Sequence, residues 1–258
     1  MAGMTQTIWI RPTRKLDLTA DRVDVWRVHL SSTTPNEASL SADERQRAAR
    51  FHFDTDRDRF VVAHASLRDI LSRFMQCEPN ELVFSVNEYG KPSLNRSNDF
   101  SRSTTEVVTT KDVEFNLSHS GDFALIAVAR GRKVGVDVEF IREDIELENL
   151  ARRNFSPREV SELMALPPKQ RTFGFFHCWT RKEAYIKAQG LGLSLPLDSF
   201  DVSLSPNEPA ILRATRPDTN EASRWSLHSL NVESNYAAAL AVEGNVLEIR
   251  YWEWKINQ

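Results

Sequence analysis

Cysteine is scarce in this chain. Its 258 residues hold two, Cys77 and Cys178, with no C-x-x-C pair and no metal-finger spacing. Neither a disulfide framework nor a cysteine-built zinc site is expected to organise the fold. Long apolar runs are missing too. The longest wholly apolar stretch, Phe123 to Ala129, is seven residues, too short to span a bilayer. The first residues lack the apolar stretch of a signal peptide. These absences predict a chain with no membrane partner in a reduced cytoplasm. An excess of one charge sign is also lacking. Thirty-three Lys and Arg face 36 Asp and Glu, for a net charge of -3, so no global field recruits nucleic acid. What is present is an ordinary mixture, 41% hydrophobic and 27% charged. It is long enough for one large domain or two small ones with a real core.

The N-terminal region holds two strand-like pieces, "TIWI" and "VDVWRVHL". In "SADERQRAARFHF", Ser41 with Glu44 three residues on is a capping box that opens a helix. "DRDRFVVAHASLRDILSRF" follows as a second helix, with Phe60, His64, Leu67 and Leu71 at helical spacing. "NEYGKPSL" reads as a turn. Residues 95–112, polar and Ser/Thr-rich, predict a flexible surface loop. "VEFNLSHSGDFALIAVARGRKVGVDVEF" predicts two apolar strands joined as a hairpin by "RGRK". Ser156 and Glu159 repeat the capping box. "KQRTFGFFHCWTRKEAYIKAQG" predicts a helix stopped by Gly190, and residues 198–258 read as strands.

The chain also repeats itself weakly. Ser41 and Glu44 match Ser156 and Glu159 at an offset of 115. Ser66, Arg68 and Asp69 match Thr180, Lys182 and Glu183 at 114. "GDFALIAVA" matches "SNYAAALAV", with Phe123 against Tyr236 at 113. Near-constant offsets predict two copies of one α/β unit, residues 1–130 and 131–258, with a cleft between them.

The chemistry concentrates in the second copy. In "GVDVEF", Val134, Val136, Val138 and Phe140 alternate with Asp137 and Glu139, so the two carboxylates share one strand face with Cα atoms ~6.6 Å apart. Either that face is simply solvated, or something relieves the repulsion. On the helix, Trp179, Glu183 and Lys187 fall at i, i+4 and i+8 along one side. Alone, Glu183 and Lys187 would be an exposed ion pair and Trp179 a core residue. Taken together, Asp137, Glu139 and Glu183 are three hard oxygen donors, a set suited to Mg²⁺. Ser118 and His119, in a turn-like stretch before the hairpin, are candidates to donate to a phosphate. Lys91, Arg47, Arg50 and Arg59 read singly as surface charges; as a set they suit a polyphosphate.

Those residues resemble a family. "VGVDVE" and "FHCWTRKEAYIKAQGLGL", preceded by "FNLSHS" and "YGKP", are similar to the 4′-phosphopantetheinyl transferases, of the larger surfactin-synthetase-activator type. The resemblance implies an α+β fold with a pseudo-twofold duplication of two α/β half-units and the active site between them. It implies a cytoplasmic monomer. It also implies transfer of the 4′-phosphopantetheine arm of coenzyme A to a serine of an apo acyl or peptidyl carrier protein, with Mg²⁺ (or Mn²⁺) and release of adenosine 3′,5′-bisphosphate. Carried over by motif, Asp137, Glu139 and Glu183 hold the metal, and Glu183 also takes the serine proton. Lys187 neutralises the pyrophosphate, Ser118, His119 and Lys91 hold phosphates, and Arg47 is the best candidate for the 3′-phosphate. Glu44 departs from the family pattern, since relatives often carry more bases there. Two rivals remain: a non-catalytic CoA- or nucleotide-binding module with the same fold, and a Mg²⁺-dependent pyrophosphate hydrolase.

Overall fold

A computed structural model describes residues 7–11, 16–95, 112–206, 208–216 and 218–255. The predicted loop at 95–112 therefore lies almost wholly outside the described residues. The first half contains β1 (Arg22–His29), α1 (Ala42–Ala48), α2 (Asp54–Met75), the short pair β2 (Phe84–Val86) and β3 (Pro92–Leu94), β4 (Val113–Ser120) and β5 (Phe123–Arg130). The second contains β6 (Val134–Phe140), α3 (Leu147–Asn154), α4 (Pro157–Ala165), α5 (Pro168–Gln189), β7 (Phe200–Val202), β8 (Leu212–Thr215), β9 (Trp225–Ser229), β10 (Tyr236–Glu243) and β11 (Glu248–Trp254).

Two sheets stack between two long helices. One sheet runs β11-β1-β5-β4 and the other β6-β10-β9. Strand alternation explains the layering. On β5, Ala124, Ile126 and Val128 pack toward α2, whereas Phe123, Leu125, Ala127 and Ala129 join Val134, Val136 and Val138 of β6 between the sheets. The seven-residue apolar run is thus a strand buried on both faces. On β10, Ala237, Ala239 and Ala241 face α5, and Ala238, Leu240 and Val242 face the other sheet.

"RGRK" is not the turn of a hairpin. It joins β5 to β6, but these strands lie in different sheets. The chain folds over there because the apolar faces of β5 and β6 meet face to face rather than edge to edge. The hairpin is β4–β5, closed where Ser120 pairs with Phe123 and Gly121 turns at φ 56°. "FNLSHS" is accordingly strand, not turn.

The duplication is visible side chain by side chain. Both capping boxes form, Ser41 with Glu44 and Ser156 with Glu159. Each box's glutamate also pairs with a buried cation of the following long helix: Glu44 with Arg68 at 2.6 Å and Glu159 with Lys182 at 2.8 Å. α2 and α5 are both 22 residues long. Phe123 and Tyr236 meet edge to face, 5.0 Å between ring centres. One element breaks the symmetry. β11, near the C-terminal end, pairs in parallel with β1 and so completes the first half's sheet.

Candidate active site at the seam of the two half-units

β6 places the carboxylates. Its odd positions turn away from the inter-sheet core and toward α5, which packs directly on β6 and β10. Gly135 makes that approach possible: a Cβ there would land on the Ala184 carbonyl oxygen and the Ala188 amide of α5. Asp137 lies two residues further along the same face, and Glu183 and Lys187 flank the contact on the helix. Trp179, one turn before Glu183, is packed against Phe175 and Phe155 and anchors the helix. Gly190, at φ 71°, ends α5.

Asp137 is 2% exposed. Its Oδ1 accepts from Lys187 Nζ at 2.6 Å and Ser118 Oγ at 2.9 Å. Its Oδ2 is buried with no hydrogen-bond partner among the described residues. Glu139 Oε2 accepts from Ser120 Oγ at 3.0 Å. Burial, then the Asp137 charge, pushes both Glu139 and Glu183 above the usual carboxylate range, with Lys187 pulling each back. The three acids therefore share one electrostatic field. Among the described residues no three acid, His or Cys side chains close a cation cage by themselves. The donor set is nevertheless all carboxylate oxygen, with one buried oxygen left over. This fits Mg²⁺, which completes its shell with water and phosphate oxygens.

A basic group stands at the α2 end of the seam. β4 alternates: Asn116, Ser118 and Ser120 face β6, whereas Phe115 and Leu117 pack toward α2 and His119 follows them. Partial burial, and then the charges of His64, Lys187, Arg47 and Arg59, hold the His119 pKa down. These four bases thus lie within electrostatic reach of His119. Arg59 also pairs with Asp122 at 2.9 Å, and Arg47 lies over the Phe60 ring. Arg50 is exposed.

Two expected phosphate ligands are otherwise engaged. Ser118 accepts from Lys187 and Val138 N–H and gives its single proton to Asp137, leaving none for a phosphate. Lys91 donates to the carbonyls of Val134 and Ala188, fastening the β2–β3 hairpin to the end of α5. His64 and Ser120 were not singled out by sequence. His64 sat in plain view on the periodic face of the second helix; Ser120 gave no local signal.

Among the described residues the first half has no such site. Phe123 pairs with His29 as Tyr236 pairs with Phe140, so Trp26 and Val28 stand where Asp137 and Glu139 do. Both are buried in the core under α2. Asp69, the counterpart of Glu183, pairs instead with Arg73.

Fold and seam together define a duplicated α+β protein that brings acids of β6 and α5 near bases of β4, α1 and α2. Comparison with known proteins narrows this. Residues 133–241 match the family model of the 4′-phosphopantetheinyl transferase superfamily, and residues 25–131 match that of the 4′-phosphopantetheinyl transferase N-terminal region. The chain is 38% identical over 255 residues to the 4′-phosphopantetheinyl transferase HetI of Nostoc sp., covering 97% of this chain and 100% of that protein. It is 36% identical over 165 residues to the 4′-phosphopantetheinyl transferase Sfp of Bacillus subtilis, covering 64% and 66%. A crystal structure of Thermotoga maritima holo-[acyl-carrier-protein] synthase aligns at TM-score 0.35 and 22% identity, over 44% of this chain and 63% of that one. The chain belongs to the 4′-phosphopantetheinyl transferase family and is an enzyme.

Proposed function

We propose that the seam binds coenzyme A and passes its 4′-phosphopantetheine arm to the serine of an apo acyl or peptidyl carrier protein. The observation that carries this reading is the Asp137 carboxylate: one oxygen is held by Lys187 and Ser118, and the other is buried with no hydrogen-bond partner among the described residues. A buried acceptor with no partner is costly, and a divalent cation held there would remove that cost.

Asp137, Glu139 and Glu183 would hold Mg²⁺ or Mn²⁺, which would supply charge neutralisation that makes a departing phosphate a weaker base. Lys187 reaches the same Asp137 oxygen and neutralises charge on the pyrophosphate. His119, with Arg47, Arg59 and His64 around it, receives phosphate at the α2 end, Arg47 serving the 3′-phosphate. Lys91 is held by the carbonyls of Val134 and Ala188, and Arg50 is exposed. Glu183, raised above the ordinary carboxylate range by burial, takes the proton of the carrier serine. The serine oxygen then bonds to the phosphorus that bears the pantetheine arm. The bond from that phosphorus to the bridging oxygen breaks, and adenosine 3′,5′-bisphosphate leaves. Phosphoryl transfer asks mainly for positioning and charge neutralisation, and a hydroxyl needs its proton removed to react.

Incubation with CoA, Mg²⁺ and a panel of apo-carriers, read by intact mass, tests this. Glu183→Gln should lower the rate of carrier mass gain ~10²–10⁴-fold, the usual cost of a lost general base, with a much smaller loss of CoA affinity. Asp69→Asn, at the matching place in the first half, should leave the rate nearly unchanged. Release of product from CoA without any carrier would instead favour a hydrolase, and CoA binding with no carrier modified would favour a non-catalytic module.

A further inference from the structure

β4 and β6 are edge strands of different sheets, and edge strands leave backbone donors unpaired. Here the β6 edge is covered by side chains. The N–H groups of Val136, Val138 and Phe140 donate to Asn116 Oδ1 at 2.8 Å, Ser118 Oγ at 3.4 Å and Ser120 Oγ at 3.0 Å. The period of two on both strands brings every second residue of β4 against every second amide of β6. Each serine then points its own proton one residue back, Ser118 to Asp137 and Ser120 to Glu139.

We propose that Ser120 is a positioning residue that fixes the Glu139 carboxylate for the cation. The inference rests on the metal reading above. A serine hydroxyl has one proton. Because Phe140 N–H points into the Ser120 oxygen, the proton must leave on another side, and Glu139 Oε2 lies there at 3.0 Å. The backbone of β6 thereby dictates, through Ser120, which oxygen of Glu139 is tied down. Glu139 belongs to the pair of strand carboxylates that repel each other, and an untethered side chain would swing away from Asp137 toward water. Ser118 does the same for Asp137 but also touches Lys187, so its loss would disturb a charged pair. Ser120 isolates the effect.

The test is Mn²⁺ titration of the whole protein by electron paramagnetic resonance, with and without CoA, beside melting temperature and the KM for CoA. Ser120→Ala should weaken Mn²⁺ binding about tenfold, the lower end of what loss of a ligand's hydrogen-bond partner causes. Its melting temperature should fall only by a few degrees, and KM for CoA should stay within about twofold. Ser120→Thr, which keeps the hydroxyl, should restore Mn²⁺ affinity to within about threefold of the parent. If Ser120→Ala does not fold, Ser120→Cys, a poorer donor of similar size, carries the same readout. Undiminished Mn²⁺ binding in Ser120→Ala or Ser120→Cys overturns the proposal. So does a loss that Ser120→Thr fails to restore and that tracks melting temperature, because Ser120 would then only cap an edge. If the parent protein takes up no Mn²⁺ and Asp137→Ala behaves identically, the metal reading itself has failed and the role of Ser120 falls with it.

Discussion

Glu44 is an acid set among arginines, and its surroundings explain its place. The Ser41 N–H, His64 Nδ1 and Arg68 Nε converge on its two oxygens at 2.8, 3.1 and 2.6 Å. Burial alone would raise its pKa, but the bonds from His64 and the Ser41 amide and the Arg68 charge outweigh it and bring it down to about 2 from 4.5. A carboxylate depressed in the folded state contributes stability above its unfolded pKa and loses it as pH falls through its folded pKa. With a shift of that size and a side chain 15% exposed, Glu44 should contribute about 3 kcal/mol at pH 7. Glu44→Gln should therefore be less stable than the parent by roughly that amount above pH 5 in urea titrations, and the gap should close toward pH 2. A gap that does not change with pH would mean that shape, not charge, is lost. Sequence revealed the capping box but not the other two partners. Arg68 and His64 lie twenty or more residues away, and nothing local tells a helix cation which loop it will reach.

Elements were legible where the signal is local. α2 and α5 follow from apolar spacing, from the capping boxes upstream and from a glycine stop at 190. Asp137, Glu139, Glu183 and Lys187 followed from face arithmetic on one strand and one helix, because alternation and a 3.6-residue turn are properties of the chain alone. The contact between those two elements was not legible. "RGRK" signals a reversal, and a reversal does not say whether the strands pair by edge or stack by face. The β4–β6 side-chain ladder joins residues twenty apart through a fold-level seam, so Ser120 carried no mark. Gly135 now has a physical role: it sets the distance between β6 and α5. Gly135→Ala would force its methyl into backbone atoms of Ala184 and Ala188, which no side-chain rotation relieves. Overpacking of that kind costs about 1–3 kcal/mol. The helix must lift, carrying Glu183 and Lys187 away from Asp137. Thermal melts should show a folded but weakened protein, and carrier loading should fall by far more than CoA affinity. Parent-like turnover would mean that the helix–strand distance does not set the site.

At the scale of the whole molecule, the interface between the half-units is internal. Val23, Val25, Leu125 and Ala127 from one sheet pack against Val136, Val138, Leu240 and Val242 from the other, all buried. The edges of β4 and β6 are closed on each other by Asn116, Ser118 and Ser120. β11 then ties the halves covalently and by pairing. It follows the second half in sequence yet runs beside β1 and places Trp252 and Trp254 against Trp26 in the first half's core. A division of the chain at residue 130 therefore parts β11 from the sheet it completes. Both copies of the repeat, with their apolar faces spent on each other, leave no matching half for a second chain to supply. Arg47 of α1 and His64 and Arg59 of α2 already lie within electrostatic reach of His119, in the same chain as the acids of β6 and α5. The protein should run as a single chain in light scattering at micromolar concentration, and its specific activity should not change on dilution through that range. A stable trimer, or activity that collapses on dilution, would show that the seam described here is completed between chains rather than within one.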